Sequence, residues 1–108
     1  MTALDATLAA LADPTRRAIL ARLARGEATV TELVAPFSIS QPAISRHLRV
    51  LEDAGLILRR VDGARRPCRL APGALDELDA YLATLRKALE RNYDRLDQLL
   101  ARTRRDRS

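Results

Sequence analysis

Apolar residues recur along this chain mostly at intervals of three and four, a helical rhythm broken by proline, glycine and capping residues. Leu4, Leu8 and Leu11 share one face of an Ala-rich stretch and predict a short amphipathic first helix. Asp13-Pro14 restarts the chain. Asp is a good N-cap and Pro is tolerated at the first helical position, so a second helix is predicted from Pro14 to Arg25, with Ile19, Leu20 and Leu23 inward and Gly26 closing it. In Thr29-Val30-Thr31-Glu32 the Thr29 hydroxyl can accept from the Glu32 amide while Glu32 reaches back, a capping box that opens a third, short helix holding Leu33 and Val34 and ending near Pro36. Phe37-Ser38-Ile39 reads as a tight turn with an apolar anchor. Ser40 then caps a fourth helix that carries Ile44, Leu48 and Leu51 on one face until Gly55 stops it.

Beyond Gly55 the rhythm changes. Leu56-Ile57-Leu58 reads as an apolar strand running into Arg59-Arg60-Val61, Asp62-Gly63 as a turn, and Arg65 to Leu70 as the returning strand of a two-stranded hairpin. Pro67 cannot donate a ladder bond, which places the returning strand at an edge or breaks it there. The last helix has the clearest periodicity: Leu75, Leu82, Leu89 and Leu96 repeat every seven residues, as do Leu78, Leu85, Asn92 and Leu99, an a/d-like seam flanked by Tyr81 and Tyr93 and widened by Leu100. One helix with such a seam wants a partner. Asn92 stands either where a buried amide fixes register between two chains or at an exposed edge of the seam. After Ala101 the sequence Arg-Thr-Arg-Arg-Asp-Arg-Ser is expected to be a frayed, flexible basic tail over 102–108 with non-specific attraction for phosphate. The expected fold is thus mainly α, five helices with a small β-hairpin, in a single domain over 1–108.

Composition bounds the function. At 108 residues, 47% hydrophobic and 31% charged, the chain is sized for one small globular domain, and so small a domain leaves enough surface exposed that a second copy of itself is an expected source of burial. No apolar run approaches the roughly 18 residues of a membrane span. The stretch from Met1 to Ala10 carries Asp5 and no basic residue, unlike a signal peptide, so a cytoplasmic protein without a membrane partner is expected. With one cysteine, Cys68, and one histidine, His47, neither an internal disulfide nor a four-ligand Cys/His metal cage can form within one chain. No metal and no cofactor are expected. There is no Gly-rich phosphate loop and no convincing Ser/His/Asp set, so an enzyme is not expected either.

The net charge of +5 is unevenly placed. Between Arg59 and Arg69 five Arg face one Asp, and Arg supplies 18 of the 19 basic residues, the side chain suited to bidentate phosphate and guanine contacts. On a helical wheel centred on Ile44, Leu48 and Leu51 fall beside it while Pro42, Ser45, Arg46 and Arg49 fall opposite, with Gln41 at the edge in the first turn. Those groups read major-groove base edges: Arg to guanine, Gln to adenine, Ser to either or to phosphate. His47 lies about 60° from Ile44, where it braces the helix or touches a phosphate rather than reads a base. Two helices joined by a tight turn and followed by a basic hairpin make a winged helix-turn-helix, whose second helix enters the major groove while the hairpin lies along phosphates or in the minor groove.

Three stretches resemble the ArsR/SmtB-type winged-helix transcriptional repressors: Leu11-Ala-Asp-Pro-Thr-Arg-Arg-Ala-Ile-Leu20, Ser40-Gln-Pro-Ala-Ile-Ser-Arg-His-Leu-Arg-Val-Leu-Glu-Asp-Ala-Gly-Leu-Ile57 and Arg60-Val-Asp-Gly63. They are similar to that family's second helix, recognition helix and wing, and the resemblance runs over residues 4 to 100. It implies a homodimer that sits on an operator, often its own, and leaves when a signal arrives. It also implies a dimer interface of first and last helices, here Leu4, Leu8, Leu11, Leu78, Leu82, Leu85, Leu89, Asn92, Leu96 and Leu99. The family's metal-sensing members carry ligand sets that this chain lacks. Where one set has Cys-x-Cys, the third helix reads Glu32-Leu33-Val34-Ala35-Pro36, and where another has Asp and His pairs, residues 75 to 108 hold no histidine. The closer likeness is to the branch without metal sites, whose inducers are mostly undefined. Cys68, with the parity of Leu70 on the returning strand, reads as a small buried hydrophobe rather than a redox switch.

The expected function is therefore a sequence-specific, autoregulatory DNA-binding repressor that reads an inverted repeat of double-stranded DNA and answers to a non-metal signal. Ser40, Gln41, Pro42, Ser45, Arg46, His47 and Arg49 are the expected DNA residues of the recognition helix, and Arg59, Arg60, Arg65 and Arg66 those of the wing. The alternatives are a nucleoid-type binder without a preferred operator and a winged helix used for protein contact.

Overall fold

The computed structural model describes residues 2–106 and forms two compact units, one up to Glu77 and one from Leu78. In the first, short helices and strands alternate: α1 (Ala3–Leu11), α2 (Pro14–Leu23), β1 (Ala28–Thr29), α3 (Val30–Val34), α4 (Gln41–Asp53), β2 (Ile57–Arg59) and β3 (Pro67–Leu70). A fifth helix, α5 (Asp76–Asp106), makes up almost all of the second.

Local chemistry explains where the helices start and stop. Asp13 Oδ1 accepts from the amides of Thr15 and Arg16 at 3.0 and 3.3 Å and opens α2. The expected box at α3 is formed, with the Glu32 amide donating to Thr29 Oγ1 and the Thr29 amide to Glu32 Oε1, both at 3.3 Å. Thr2 and Asp5 make a second box before α1, which sequence reading missed. α2 ends at Leu23 rather than Arg25, because its last turn tightens: the amides of Arg25 and Gly26 reach back only three residues, to Arg22 and Leu23. At the end of α4, Gly55 takes φ +78°, its amide bonds the Glu52 carbonyl and the Leu56 amide bonds the Leu51 carbonyl. That is a Schellman motif, and its apolar pair Leu51 and Leu56 is buried.

The core gathers Ile19 and Leu23 of α2, Leu33 of α3, Ile44, Leu48 and Leu51 of α4, and Leu56, Ile57 and Cys68 of the sheet region. Truncating a side chain as enclosed as Leu48 to alanine costs about 2–5 kcal/mol. α1 packs differently from its leucine pattern. Thr7 and Ala10 are its buried residues, small enough for close approach, while Leu8 stays 42% exposed and Leu4 and Leu11 are half-buried.

The hairpin is part of a three-stranded antiparallel sheet in the order β1-β3-β2, so the returning strand is central, not at an edge. Ala28 pairs with Cys68 and Thr29 with Pro67 on one side, and Ile57, Leu58 and Arg59 pair with Leu70, Arg69 and Cys68 on the other. Pro67 is tolerated because it is the first residue of its strand, and its carbonyl still accepts from the Arg60 amide at 3.1 Å. Asp62 and Arg65 exchange both backbone bonds across Gly63-Ala64, and Gly63 takes the positive φ that such a loop needs at its first central position.

The second unit's helix spans 31 residues, roughly 46 Å at 1.5 Å per residue. Leu82, Leu85, Leu89, Leu96 and Leu99 of its seam are exposed. Its C-terminal end corrects the expected tail, since residues 102–106 are helical. Arg is a good helix former, Thr103 Oγ1 donates to the Leu99 carbonyl at 2.9 Å, and Arg104 and Arg105 suit the negative end of the helix dipole. Residues 107 and 108 of that tail lie outside the described residues. No helix of the described residues is long and apolar enough to cross a membrane.

Cys68 is completely buried, and burial pushes its thiol above the ordinary range. Because the folded-state value is the higher one, the contribution of this side chain is intact below the unfolded value, about 8.5, and lost as the pH rises. The stability advantage of the natural chain over Cys68→Ala, measured by urea unfolding, is therefore constant below about pH 8 and shrinks toward pH 10. An advantage unchanged at pH 10 would contradict the buried thiol.

Candidate nucleic-acid interface

α3, the turn after it and α4 form the helix-turn-helix, and the segment from β2 to β3 forms the wing. Phe37 anchors the turn by packing on the core. Ser40 caps α4, its Oγ accepting from the Ala43 amide at 3.3 Å, so only its hydroxyl proton is left to offer outward. With Ile44, Leu48 and Leu51 fully buried, the opposite face is set: Gln41, Pro42, Arg46 and Arg49 are exposed and Ser45 is half-buried. No hydrogen bond or ion pair among the described residues engages the guanidinium groups of Arg46 and Arg49.

His47 departs from that outer group. Its ring is half-buried, with Nδ1 at 3.3 Å from Arg16 Nη1 and 3.9 Å from Asp13 Oδ1, both on the side of α2. Of the two roles that the wheel allowed, bracing is the one this geometry displays.

The four wing arginines are not equivalent. Arg59 Nη2 donates to Glu52 Oε1 at 3.0 Å, and this carboxylate raises its pKa further. Arg60 forks onto Glu27 with bonds of 2.8 and 3.4 Å. Arg66 Nη1 closes the turn by donating to the carbonyls of Gly63 and Arg65, both at 3.0 Å, while Arg65 makes no hydrogen bond with its side chain among the described residues. Of the four, only Arg65 thus has a guanidinium without a hydrogen bond, its charge acting on the Glu32 carboxylate, whereas sequence reading treated the four alike. Glu27 and Glu52, which it did not single out, neutralise part of the basic segment. Glu27 and Arg60 stand 33 residues apart in sequence, a separation that no local signal bridges.

Between wing and helices runs an open cleft of about 450 Å³ lined by Gln41, Ser45, Glu52, Arg59, Arg60 and Arg66 among others, with Glu52 engaged by Arg59. A neighbouring hollow of about 300 Å³ shares Val30, Gln41 and Arg66 with it and adds Thr29, Thr31 and Arg65. Amide and hydroxyl groups on one wall and guanidinium groups on the other suit a polyanion with base edges to read. The start of α3 belongs to this wall, another feature sequence reading missed. Glu32, whose carboxyl is held below its ordinary value first by the Thr29 amide, is spent on capping α3. No three His, Cys, Asp or Glu side chains among the described residues come together to hold a metal ion.

Comparison with known proteins agrees with this geometry. Residues 13–58 match the family described as bacterial regulatory protein, arsR family. The HTH-type transcriptional regulator Rv2034 of Mycobacterium tuberculosis is 44% identical over 91 residues, which are 84% of this chain and 78% of that protein. A crystal structure of an ArsR family transcriptional regulator, RHA00566, is similar with a TM-score of 0.76 and 41% identity, over 82% of this chain and 91% of that one. The solution structure of the homodimeric winged helix-turn-helix DNA-binding domain of Mb0332 from Mycobacterium bovis, a possible ArsR-family regulator, is similar with a TM-score of 0.65 and 27% identity, over 79% of each chain.

Glu27→Gln releases the Arg60 guanidinium. It is expected to tighten binding to random-sequence DNA a few-fold with the dependence of log affinity on log salt unchanged, because Arg60 is expected to reach phosphate in either protein, while Arg65→Ala flattens that dependence by about one. Fluorescence anisotropy between 50 and 200 mM salt reads both. An affinity for random DNA unchanged in Glu27→Gln would show that Arg60 does not approach the polyanion.

Proposed function

The chain belongs to the ArsR family of bacterial regulatory proteins, and from this we infer that it is a homodimeric, autoregulatory repressor that binds an inverted repeat in double-stranded DNA. The observation that carries the reading is the outer face of α4, where Arg46 and Arg49 are exposed and Gln41 and Ser45 border a cleft walled by the wing. Arg46 and Arg49 contact guanine or nearby phosphate, Gln41 contacts adenine and Ser45 either, with Ser40 and Pro42 at the helix start lying against the backbone. Arg65 and Arg66 set the wing on phosphates, and Arg59 and Arg60 add to it by exchanging their carboxylate partners for phosphate.

Two copies meet through their apolar faces. Leu4, Leu8 and Leu11 of α1 and Leu78, Leu82, Leu85, Leu89, Leu96 and Leu99 of α5 supply the contact, with Asn92 on the seam fixing register. Both units of each chain thereby serve one DNA-binding and dimerisation domain. The two recognition helices stand roughly one DNA turn apart, about 34 Å, so each reads one arm of the repeat. A dimer seated on the promoter excludes transcription, and a cytoplasmic signal other than a metal ion releases it. Catalysis has no part in this function.

The test is anisotropy of the purified protein on the DNA upstream of its own gene against a shuffled control, with and without chelator. The expected preference is about a thousandfold and indifferent to chelator. Equal binding to both DNAs would favour a nucleoid-type coat, and none to either would favour protein contact. Arg46→Ala is expected to cost about 1–3 kcal/mol on the operator and to relax preference at one base pair. Equal losses on operator and random DNA would remove Arg46 from base reading.

A further inference from the structure

Arg16, on α2, spends its guanidinium on two other elements at once. Nε donates to the Ala10 carbonyl at 2.7 Å and Nη2 to the Ala9 carbonyl at 3.2 Å, while Nη1 lies 3.3 Å from His47 Nδ1. The first two acceptors belong to the last turn of α1, where the Ala9 carbonyl also accepts from the Ala12 amide at 3.3 Å. Arg17 beside it closes the Leu11 carbonyl at 2.7 Å. The third partner is a side chain of the recognition helix. An arginine only donates, so the contact is a hydrogen bond with Nδ1 as the acceptor in the tautomer that carries its proton on Nε2.

We propose that Arg16 is a positioning residue for operator recognition: through His47 it fixes the rotation of α4 relative to α1, and so sets the half-site spacing the dimer accepts. This rests on the reading of the protein as an operator-specific dimer. The apolar stripe of α4 holds the helix down but is non-directional, whereas a planar guanidinium bonded to two elements is directional. The distinction matters because a rotation of about 10° moves a guanidinium some 10 Å from the helix axis by about 2 Å, more than a base-edge hydrogen bond tolerates. α1 carries the leucine face assigned to the second copy, so the path from one recognition helix to the other runs through this bond in each protomer. Arg46, next to His47 in the chain, is the first reading group that a loose α4 would misplace.

The experiment compares the full-length protein with His47→Leu, His47→Asn and Arg16→Lys on its own upstream inverted repeat, with the half-site separation varied one base pair at a time. Random DNA serves as reference, sedimentation verifies the dimer and circular dichroism the helices. In Asn the side-chain oxygen takes the place of Nδ1 as acceptor. The expected result is that His47→Leu loses about tenfold in affinity at the preferred spacing and accepts neighbouring spacings, with random-DNA affinity unchanged. His47→Asn restores the sharp preference. Arg16→Lys, which keeps the charge but not the planar fork, behaves as His47→Leu does and carries the test if His47→Leu fails to fold. A folded His47→Leu with the natural spacing preference would overturn the proposal. Equal weakening of both His47 variants on operator and random DNA would overturn it in favour of a direct phosphate contact by His47. A natural protein without operator preference would overturn the regulator reading itself, and this link with it.

Discussion

Three side chains, Ile44, Leu48 and Leu51, hold α4 against the rest of the first unit, and nearly every other feature follows from their complete burial. They fix which side of the helix faces outward and thereby place Gln41, Arg46 and Arg49 in solvent. They also decide what must surround them. Ile19 and Leu23 arrive from α2, Leu33 from α3, Leu56 from the turn after Gly55, and Ile57 from the strand that follows at once. The Schellman motif at Gly55 is the hinge of this arrangement, since it turns the chain sharply enough for β2 to begin under the helix that has just ended. Position and reading face are therefore two results of one apolar stripe.

The wing adds a second layer, of charge held in reserve. A bare run of arginines would attract any polyanion with little selectivity and would repel itself when none is bound. Here Glu27 and Glu52 hold two of the guanidinium groups in defined directions. Both carboxylates are solvent-exposed partners, so each pair is worth at most about 1 kcal/mol and gives way readily to phosphate. The basic segment is shaped before it meets a ligand, at small energetic cost.

How much of this was legible in the sequence depended on the range of the signal. The helix starts were legible, because an N-cap at Asp13 or Ser40 and the box at Thr29 act within three residues. The stripe of α4 was legible for the same reason, and the wheel that turned His47 away from the outer face agrees with its seat beside Arg16. β1 was not, since two residues carry no periodicity and become a strand only through pairing with Cys68 and Pro67. That missing strand is also why Pro67 suggested an edge: the proline rule has an exception at the first residue of a strand, and this residue occupies it. On α1 the leucine spacing gave no sign that Thr7 and Ala10 are the buried residues, with only Leu11 of the three packed against the core. In the interface, the face of α4 could be read from spacing, but the ties of Arg59, Arg60 and Arg16 could not, since each partner comes from another element.

The small sheet also bears on how copies of this protein avoid one another. Its outer strands are the dangerous ones, because an exposed strand edge is a template for a strand of another molecule. One outer strand is only two residues long and leads directly into a helix, and the other is three residues long and ends at Arg59, with Arg60 next in the chain. Neither offers a neighbour enough ladder to zip onto, and charge guards the longer of the two. Association by strand addition is thus disfavoured, and open-ended fibre growth has no ready starting point.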